Sequence, residues 1–163
     1  MNDTTLNQLS KELAEILLSH DLELAVAESC TGGWLAKCCT DIPGSSAWFD
    51  RGFVTYSNES KQALLSVSID TLAQYGAVSA QTAEAMATGA LKHSLADISV
   101  AITGIAGPDG GSNEKPVGTV WFAWARKEHP VQTACHLFNG DRNSIRCQAV
   151  QTALEGIIKN ARD

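Results

Sequence analysis

Two short and mostly apolar runs, residues 22–27 and 98–103, each end in a turn of glycines and small polar residues. Runs of this length between turn signals are typical of buried β-strands. Helical patterns separate them along the chain, and strands separated by helices favour a parallel sheet. A parallel sheet needs helices on both of its faces. The chain is therefore predicted to be an α/β protein, folded as a three-layer α/β/α sandwich.

The remaining patterns complete a predicted order of α-β-α-β-α-α-α-β-β-β-α. The last two strands surround a turn at residues 127–130 and form an antiparallel hairpin, so the predicted sheet is mixed but mainly parallel. The predicted helices are 4–20, 34–40, 58–66, 69–75, 79–95 and one from a cap at 141 or 143 to about 158; the other predicted strands are 52–57, 117–125 and 131–138. Residues 1–163 are expected to form a single domain.

Composition narrows the class of function. The net charge of −6 and the pI near 5.1 argue against nucleic-acid binding, which usually needs a basic surface. No apolar run approaches the length needed to cross a membrane, and the N-terminus lacks the apolar core of a signal peptide. We therefore expect a soluble cytoplasmic protein. Five Cys without a C-x-x-C pair and four His without ligand spacing predict free thiols and no metal.

The segment Ala27–Gly33 (Ala-Glu-Ser-Cys-Thr-Gly-Gly) joins the first predicted strand to the second helix. Ligands of open α/β sheets lie beyond the carboxyl ends of the strands, where Ser29 falls. The N–H groups of Thr31, Gly32 and Gly33 can face negative charge there. Spacing alone leaves three interpretations open: a phosphate site, the oxyanion site of an acyl transfer, or a plain helix cap.

Beside Ser29, Cys30 is a rival nucleophile, although no His is placed to serve it as a base. Glu28 could orient a catalytic group or pair locally. Lys61 falls in the first turn of a predicted helix, where a cation opposes the helix dipole. A desolvated lysine at that place has a lowered pKa and can act as a base. A solvated surface lysine is the alternative.

The long segment 103–118 is rich in Gly and Pro, and loops of this length in small domains are usually functional. Within it, Ser112 and Lys115 match the spacing S-x-x-K, but a glycine-rich loop is a poor setting for that pair, and we interpret the match as accidental. Arg142 and Arg146 lie one helical turn apart. They could bind a phosphate, complement Asp141 or contact a partner subunit.

Several motifs, in one order along nearly the whole chain, resemble the C-terminal domain of the competence/damage-inducible protein CinA. The motifs are AESCTGG (27–33), GSSAWF (44–49), GFVTYSNE (52–59) followed by Lys61, GAVS (76–79), TGIAGPDGG (103–111) and KPVGTV (115–120). Stand-alone members of this family are nicotinamide-nucleotide amidases. Longer members carry an additional N-terminal domain, and we do not expect its activities here.

The resemblance implies hydrolysis of the carboxamide of nicotinamide mononucleotide to nicotinate mononucleotide and ammonia, a step of pyridine-nucleotide salvage. It implies a Ser/Lys mechanism without metal or organic cofactor. Ser29 becomes the nucleophile, Lys61 the base, and Tyr56 a third member that relays a proton or orients Ser29. The nucleotide pocket is expected to be lined by Thr31, Gly32, Gly33, Ser45, Ser46, Thr103, Gly104, Ala106 and Gly107, with Arg142 on the phosphate.

Two other functions stay open at this point. A non-catalytic nucleotide-binding module would use the same loops without a nucleophile. A role as an accessory of DNA recombination fits the acidic charge poorly. The expected partner is the nucleotide alone, without nucleic acid or membrane, and we expect a homodimer.

Overall fold

The computed structural model describes residues 2–163 of the chain and contains a five-stranded sheet with helices on both faces. This confirms the predicted α/β architecture. The helices are α1 (Asn2–Ser19), α2 (Trp34–Thr40), α3 (Asn58–Leu65), α4 (Ile69–Tyr75), α5 (Ala80–Lys92) and α6 (Arg142–Arg162); the strands are β1 (Leu24–Glu28), β2 (Phe49–Val54), β3 (Ile98–Gly104), β4 (Thr119–Arg126) and β5 (Gln132–Leu137).

The order of strands in the sheet is β2-β1-β3-β4-β5. β1 pairs in parallel with both β2 and β3, and its last residue, Glu28, lies level with Val54 of β2 and Ile102 of β3. β4 and β5 add two antiparallel partners beyond β3. The carboxyl ends of three parallel strands therefore meet at one edge, with β1 in the middle.

The two faces of the sheet carry side chains of different size. One face presents large residues such as Val26, Val100 and Phe122 to α1, α2 and α6. The other face presents alanines, among them Ala27 and Ala101, to a cluster that contains α5. Small residues on both sides let α5 lie close to the sheet. The three-layer sandwich is thus packed with bulky side chains on one side and alanines on the other.

Several predicted boundaries were wrong by two or three residues. β2 begins at Phe49, not at 52, because it pairs with β1 from Leu24 onward. Residues 55–57 leave the sheet: the Thr55 N–H still donates to Glu28, and Ser57 caps α3 in a reciprocal capping box with Ser60. α1 already begins at Asn2, and a short 3₁₀ helix at Ser45–Ala47 was not predicted.

Over residues 2–163, no helix has the combination of length and hydropathy that a membrane span requires.

Candidate active site

A pocket of about 290 Å³ lies at the edge where the parallel strands end. Each of these three strands contributes the segment that follows it, and α6 contributes its first residue. This is the switch point of the sheet, since the chain leaves β1 toward β2 on one side and returns to β3 on the other. The pocket is lined by Ser29, Cys30, Tyr56, Asn58, Lys61, Ala77, Val78, Thr103, Gly104, Ile105, Ala106, Gly107, Asp109, Gly110 and Arg142.

Ser29 and Lys61 meet on the floor of this pocket. The Lys61 side chain is 1% exposed and that of Ser29 is 8% exposed. The Lys61 Nζ donates to Ser29 Oγ at 3.1 Å and to the carbonyl of Thr55 at 2.8 Å. Burial lowers the pKa of Lys61, and Cys30 beside it partly opposes the shift. A lysine with a lowered pKa at hydrogen-bond distance from a hydroxyl has the geometry of a base beside a nucleophile.

Tyr56 lies at the mouth of the pocket and is 62% exposed. Its hydroxyl accepts a hydrogen bond from Arg142 Nη2 at 2.9 Å. The other Nη of Arg142 donates to the carbonyl of Gly107 at 2.6 Å. Arg142 therefore joins Tyr56 to the loop after β3, and it retains further N–H groups for a ligand.

The turn after β1 differs from its prediction. The buried Glu28 carboxylate accepts the N–H groups of Leu35 and Ala36 at 2.8 and 3.0 Å, so it occupies the N-terminus of α2. The Gly32 N–H donates to the carbonyl of Ser29. Of the three N–H groups expected to face a ligand at this helix start, that of Gly32 therefore already has an internal acceptor.

Three residues of the same turn do not line the pocket. Gly32 and Gly33 adopt positive φ angles of 58° and 101°, and they line a separate cavity that includes Trp34 and Arg146. Thr31 is fully buried, and its hydroxyl has no hydrogen-bond partner within residues 2–163. These three residues, which the sequence assigned to the nucleotide pocket, therefore lie outside the pocket that contains Ser29.

Ser45 and Ser46 also lie elsewhere. They belong to the 3₁₀ helix that precedes β2. Trp48 directly follows this helix, and its carbonyl accepts the N–H of Leu24 at the start of β1. This is the amino end of the parallel strands, opposite to Ser29. Within a single chain these serines cannot line the pocket around Ser29.

The end of β3 and the loop after it line the pocket that contains Ser29, with Thr103, Gly104, Ala106 and Gly107 all on its wall. The Thr103 hydroxyl donates to the carbonyl of Ala77 at 2.8 Å, which fixes the wall formed by the segment before α5.

The S-x-x-K pair is outside the pocket. Lys115 donates from its backbone N–H to the Ser112 hydroxyl and from its Nζ to the carbonyl of Tyr75. Neither residue lines the pocket that contains Ser29.

Cys30 lines the pocket but has an unreactive environment. Burial raises the pKa of its thiol to about 11, although the nearby Arg146 guanidinium acts in the opposite direction. A thiol with such a pKa stays protonated near neutral pH and is a poor nucleophile. Arg146 itself donates to the carbonyls of Cys30 and Thr31 and does not enter the pocket.

Sequence reasoning missed five residues that line the pocket, namely Asn58, Ala77, Val78, Asp109 and Gly110. The signal for three of them was available, since Asn58 follows the β2 segment and Ala77 and Val78 form the link into α5. Among residues 2–163, no three His, Cys, Asp or Glu side chains are grouped as a metal site would require.

The fold and this geometry define a class: α/β proteins with a buried serine–lysine pair at the carboxyl edge of a parallel sheet. The sequence profile of the CinA C-terminal domain matches residues 6–161. The chain therefore belongs to the CinA C-terminal domain family.

Two curated relatives and one solved structure are similar to the chain over almost their whole length. A nicotinamide-nucleotide amidohydrolase PncC of Enterobacter agglomerans is 56% identical, over 98% of this chain and 100% of the relative. The protein of the same name from Escherichia coli K12 is 55% identical, over 95% of this chain and 94% of the relative. The crystal structure of the competence/damage-inducible protein CihA from Agrobacterium tumefaciens has a TM-score of 0.93 and 45% identity, covering 97% of this chain and 96% of its own.

Proposed function

We propose that this protein hydrolyses the carboxamide of nicotinamide mononucleotide to nicotinate mononucleotide and ammonia by a Ser/Lys mechanism. The observation that carries this proposal is the buried contact of 3.1 Å between Lys61 Nζ and Ser29 Oγ. The relatives named nicotinamide-nucleotide amidohydrolase support the reaction class and the substrate.

The first half of the reaction needs a base, a nucleophile and an oxyanion site. Neutral Lys61 takes the proton of the Ser29 hydroxyl while Ser29 Oγ attacks the carboxamide carbon. We assign the oxyanion to the backbone N–H group of Cys30, because Cys30 lines the pocket and the N–H groups of Ser29 and Gly32 already donate to protein carbonyls. Protonated Lys61 then gives its proton to the leaving nitrogen as the C–N bond breaks. Ammonia departs and an ester of Ser29 remains.

The second half reverses these roles with water. Lys61 removes a proton from a water molecule that attacks the ester carbon, and the Ser29 oxygen leaves with the proton that Lys61 returns. The lowered pKa of Lys61 suits this double task, since the same nitrogen must accept and donate near neutral pH. Tyr56 accepts a hydrogen bond from Arg142, so its own O–H proton is available to a substrate or to the reacting groups.

The proposed binding mode places the phosphate toward Arg142 and the pyridinium amide toward Ser29. Arg142 uses two of its N–H groups on Gly107 and Tyr56 and has others to offer an anion. The Thr103–Gly107 segment forms the wall between these two ends.

Ammonia release from nicotinamide mononucleotide tests the proposal, with nicotinamide, nicotinamide riboside and the dinucleotide as comparison substrates. We expect turnover of the mononucleotide by the wild type, none by Ser29→Ala, and wild-type turnover by the matched control Ser112→Ala. Calorimetry on the same proteins follows nucleotide binding. Normal turnover by Ser29→Ala would refute the Ser/Lys mechanism, and binding without ammonia release by the wild type would instead identify a non-catalytic nucleotide-binding module.

We further propose that residues 1–163 act as one amidohydrolase domain, as a cytoplasmic homodimer, in pyridine-nucleotide salvage. Light scattering of the purified protein tests the dimer. Growth of a deletion strain on nicotinamide mononucleotide as the pyridine source tests the pathway.

A further inference from the structure

Two charged side chains, Glu28 and Arg146, hold the turn that carries Ser29 without lining the pocket. We propose that this pair, the turn clamp, positions the Ser29 Oγ against Lys61 and acts on the reaction only through this position. The inference rests on the proposed role of Ser29 as the nucleophile.

Glu28 links the two ends of the turn. It is the last residue of β1 and is 0% exposed. Its carboxylate reaches past the turn to the N–H groups of Leu35 and Ala36 in the first turn of α2. One side chain therefore joins the strand that enters the turn to the helix that leaves it. The start of the turn is also fixed, because the Ser29 N–H donates to Ile102 of β3 at 3.0 Å.

Arg146 binds carbonyl groups of the same turn. From the second turn of α6, its Nε donates to the carbonyl of Cys30 at 3.0 Å and its Nη2 to that of Thr31 at 3.1 Å. Its guanidinium also lies over the Trp34 ring, 5.6 Å from the ring centroid. An anion thus binds the N–H groups of α2 and a cation binds the carbonyls of the turn.

Neutral residues at these two positions would not preserve the contacts of the pair. An apolar residue at position 28 would leave two N–H groups at the start of α2 without their acceptor, and that of Leu35 is buried. A lysine at position 146 has a single nitrogen and cannot reproduce the planar, two-carbonyl contact of a guanidinium. The contacts are specific to Glu and Arg, and they fix backbone atoms of the turn directly after Ser29 and of the start of α2.

A positioning role predicts a particular kinetic pattern. Neither residue lines the pocket, so nucleotide affinity is independent of them. The 3.1 Å contact between Ser29 and Lys61, in contrast, depends on the direction in which the turn presents the hydroxyl. A misplacement of about 1 Å from a substitution outside the reacting atoms can lower the rate roughly 100-fold.

The experiment compares Glu28→Gln and Arg146→Gln with the controls Glu12→Gln and Arg162→Gln. The controls remove the same two residue types from an exposed ion pair between α1 and α6. Three quantities are measured: kcat and KM on nicotinamide mononucleotide, the rate at which a fluorophosphonate labels Ser29 by intact mass, and the Kd for the mononucleotide in a Ser29→Ala background. We expect kcat and the labelling rate to fall roughly 100-fold in both clamp variants while Kd stays unchanged.

Each outcome decides between the two proposals. If the wild type labels and turns over substrate but the clamp variants do so equally fast, the turn clamp is refuted and the proposed function stands. If Kd rises by the same factor as the rate falls, the residues serve general structure and the positioning role is refuted. A wild type inactive toward both substrate and probe refutes the proposed function and, with it, the clamp. If circular dichroism shows that Glu28→Gln does not fold, the variants of the half-buried Arg146 provide the test. The labelling rate of Arg146→Lys should then lie between those of Arg146→Gln and the wild type.

Discussion

The replacement Lys61→Met separates the role of Lys61 in catalysis from the effect of its buried amine on the free energy of unfolding. Methionine is close to lysine in length and volume, but it can neither accept nor donate a proton. General-base catalysis typically contributes a factor of about 10²–10⁴ to the rate. We therefore expect kcat to fall by about 10²–10⁴ in this variant, with little change in the affinity for the nucleotide.

The same replacement is expected to stabilise the protein. Lys61 makes two hydrogen bonds, to Ser29 and Thr55, and each contributes about 1 kcal/mol net. Against them stands the desolvation of a fully buried amine, which costs several kcal/mol for the charged form. The difference predicts a gain of about 2 kcal/mol in the free energy of unfolding at pH 7. For a chain of this length that gain raises the melting temperature by about 4–8 °C.

The sign of the pH dependence follows from the direction of the pKa shift. Burial lowers the pKa of Lys61 in the folded state below its ordinary 10.5, which the unfolded chain retains. Between these two values the unfolded state binds more protons, so the stability of the wild type rises with pH. The advantage of Lys61→Met should shrink as the pH rises through this window, because the cost of burying the charged amine disappears while its hydrogen bonds remain.

Thermal melts at several pH values, beside the ammonia assay, measure both effects. The exposed lysine of α6 provides the control Lys159→Met, which should change neither kcat nor the pH dependence of the melting temperature. A Lys61→Met protein with wild-type turnover would refute the assignment of the base. A variant less stable than the wild type at every pH would refute the argument from desolvation.

Three further predictions concern other residues of the site. Cys30→Ala should keep the turnover of the wild type, because the buried thiol has a pKa of about 11; loss of turnover would make the thiol the nucleophile. Arg142→Gln should raise KM for nicotinamide mononucleotide by about 10–100-fold, the value of a charge-assisted hydrogen bond, and should affect nicotinamide riboside much less; equal effects on both substrates would contradict a phosphate contact. Ser45→Ala and Ser46→Ala should leave kcat/KM unchanged, since both serines lie at the far end of β1, and a clear loss would mean that they serve a site formed between chains.

The sequence predicted the layers of the fold because apolar runs and helical periods are local signals. It also placed Ser29 and Thr103 correctly at the ends of parallel strands, and Lys61 in the first turn of the helix that follows β2. Strand ends were less accurate, because pairing decides them: β2 starts where Leu24 of β1 offers a partner.

Side-chain partners over longer range were not readable. Glu28 was expected to orient a catalytic group or to pair locally. In the structure its carboxylate instead accepts N–H groups at the N-terminus of α2. That contact depends on how sharply the turn bends, which the positive φ angles of Gly32 and Gly33 set. Ser45 and Ser46 were assigned through the family resemblance, and a shared motif does not say at which end of a strand its residues lie.

The position of the pocket at the switch point of the sheet has a consequence for folding. Ser29, Lys61, Thr103 and Arg142 come from four separate segments, and no two of them belong to the same helix or strand. No fragment of the chain short of the span from Ser29 to Arg142 holds the whole site. Recovery of amidase activity during refolding should therefore follow the slowest step of assembly, and activity becomes a direct measure of the fully folded fraction.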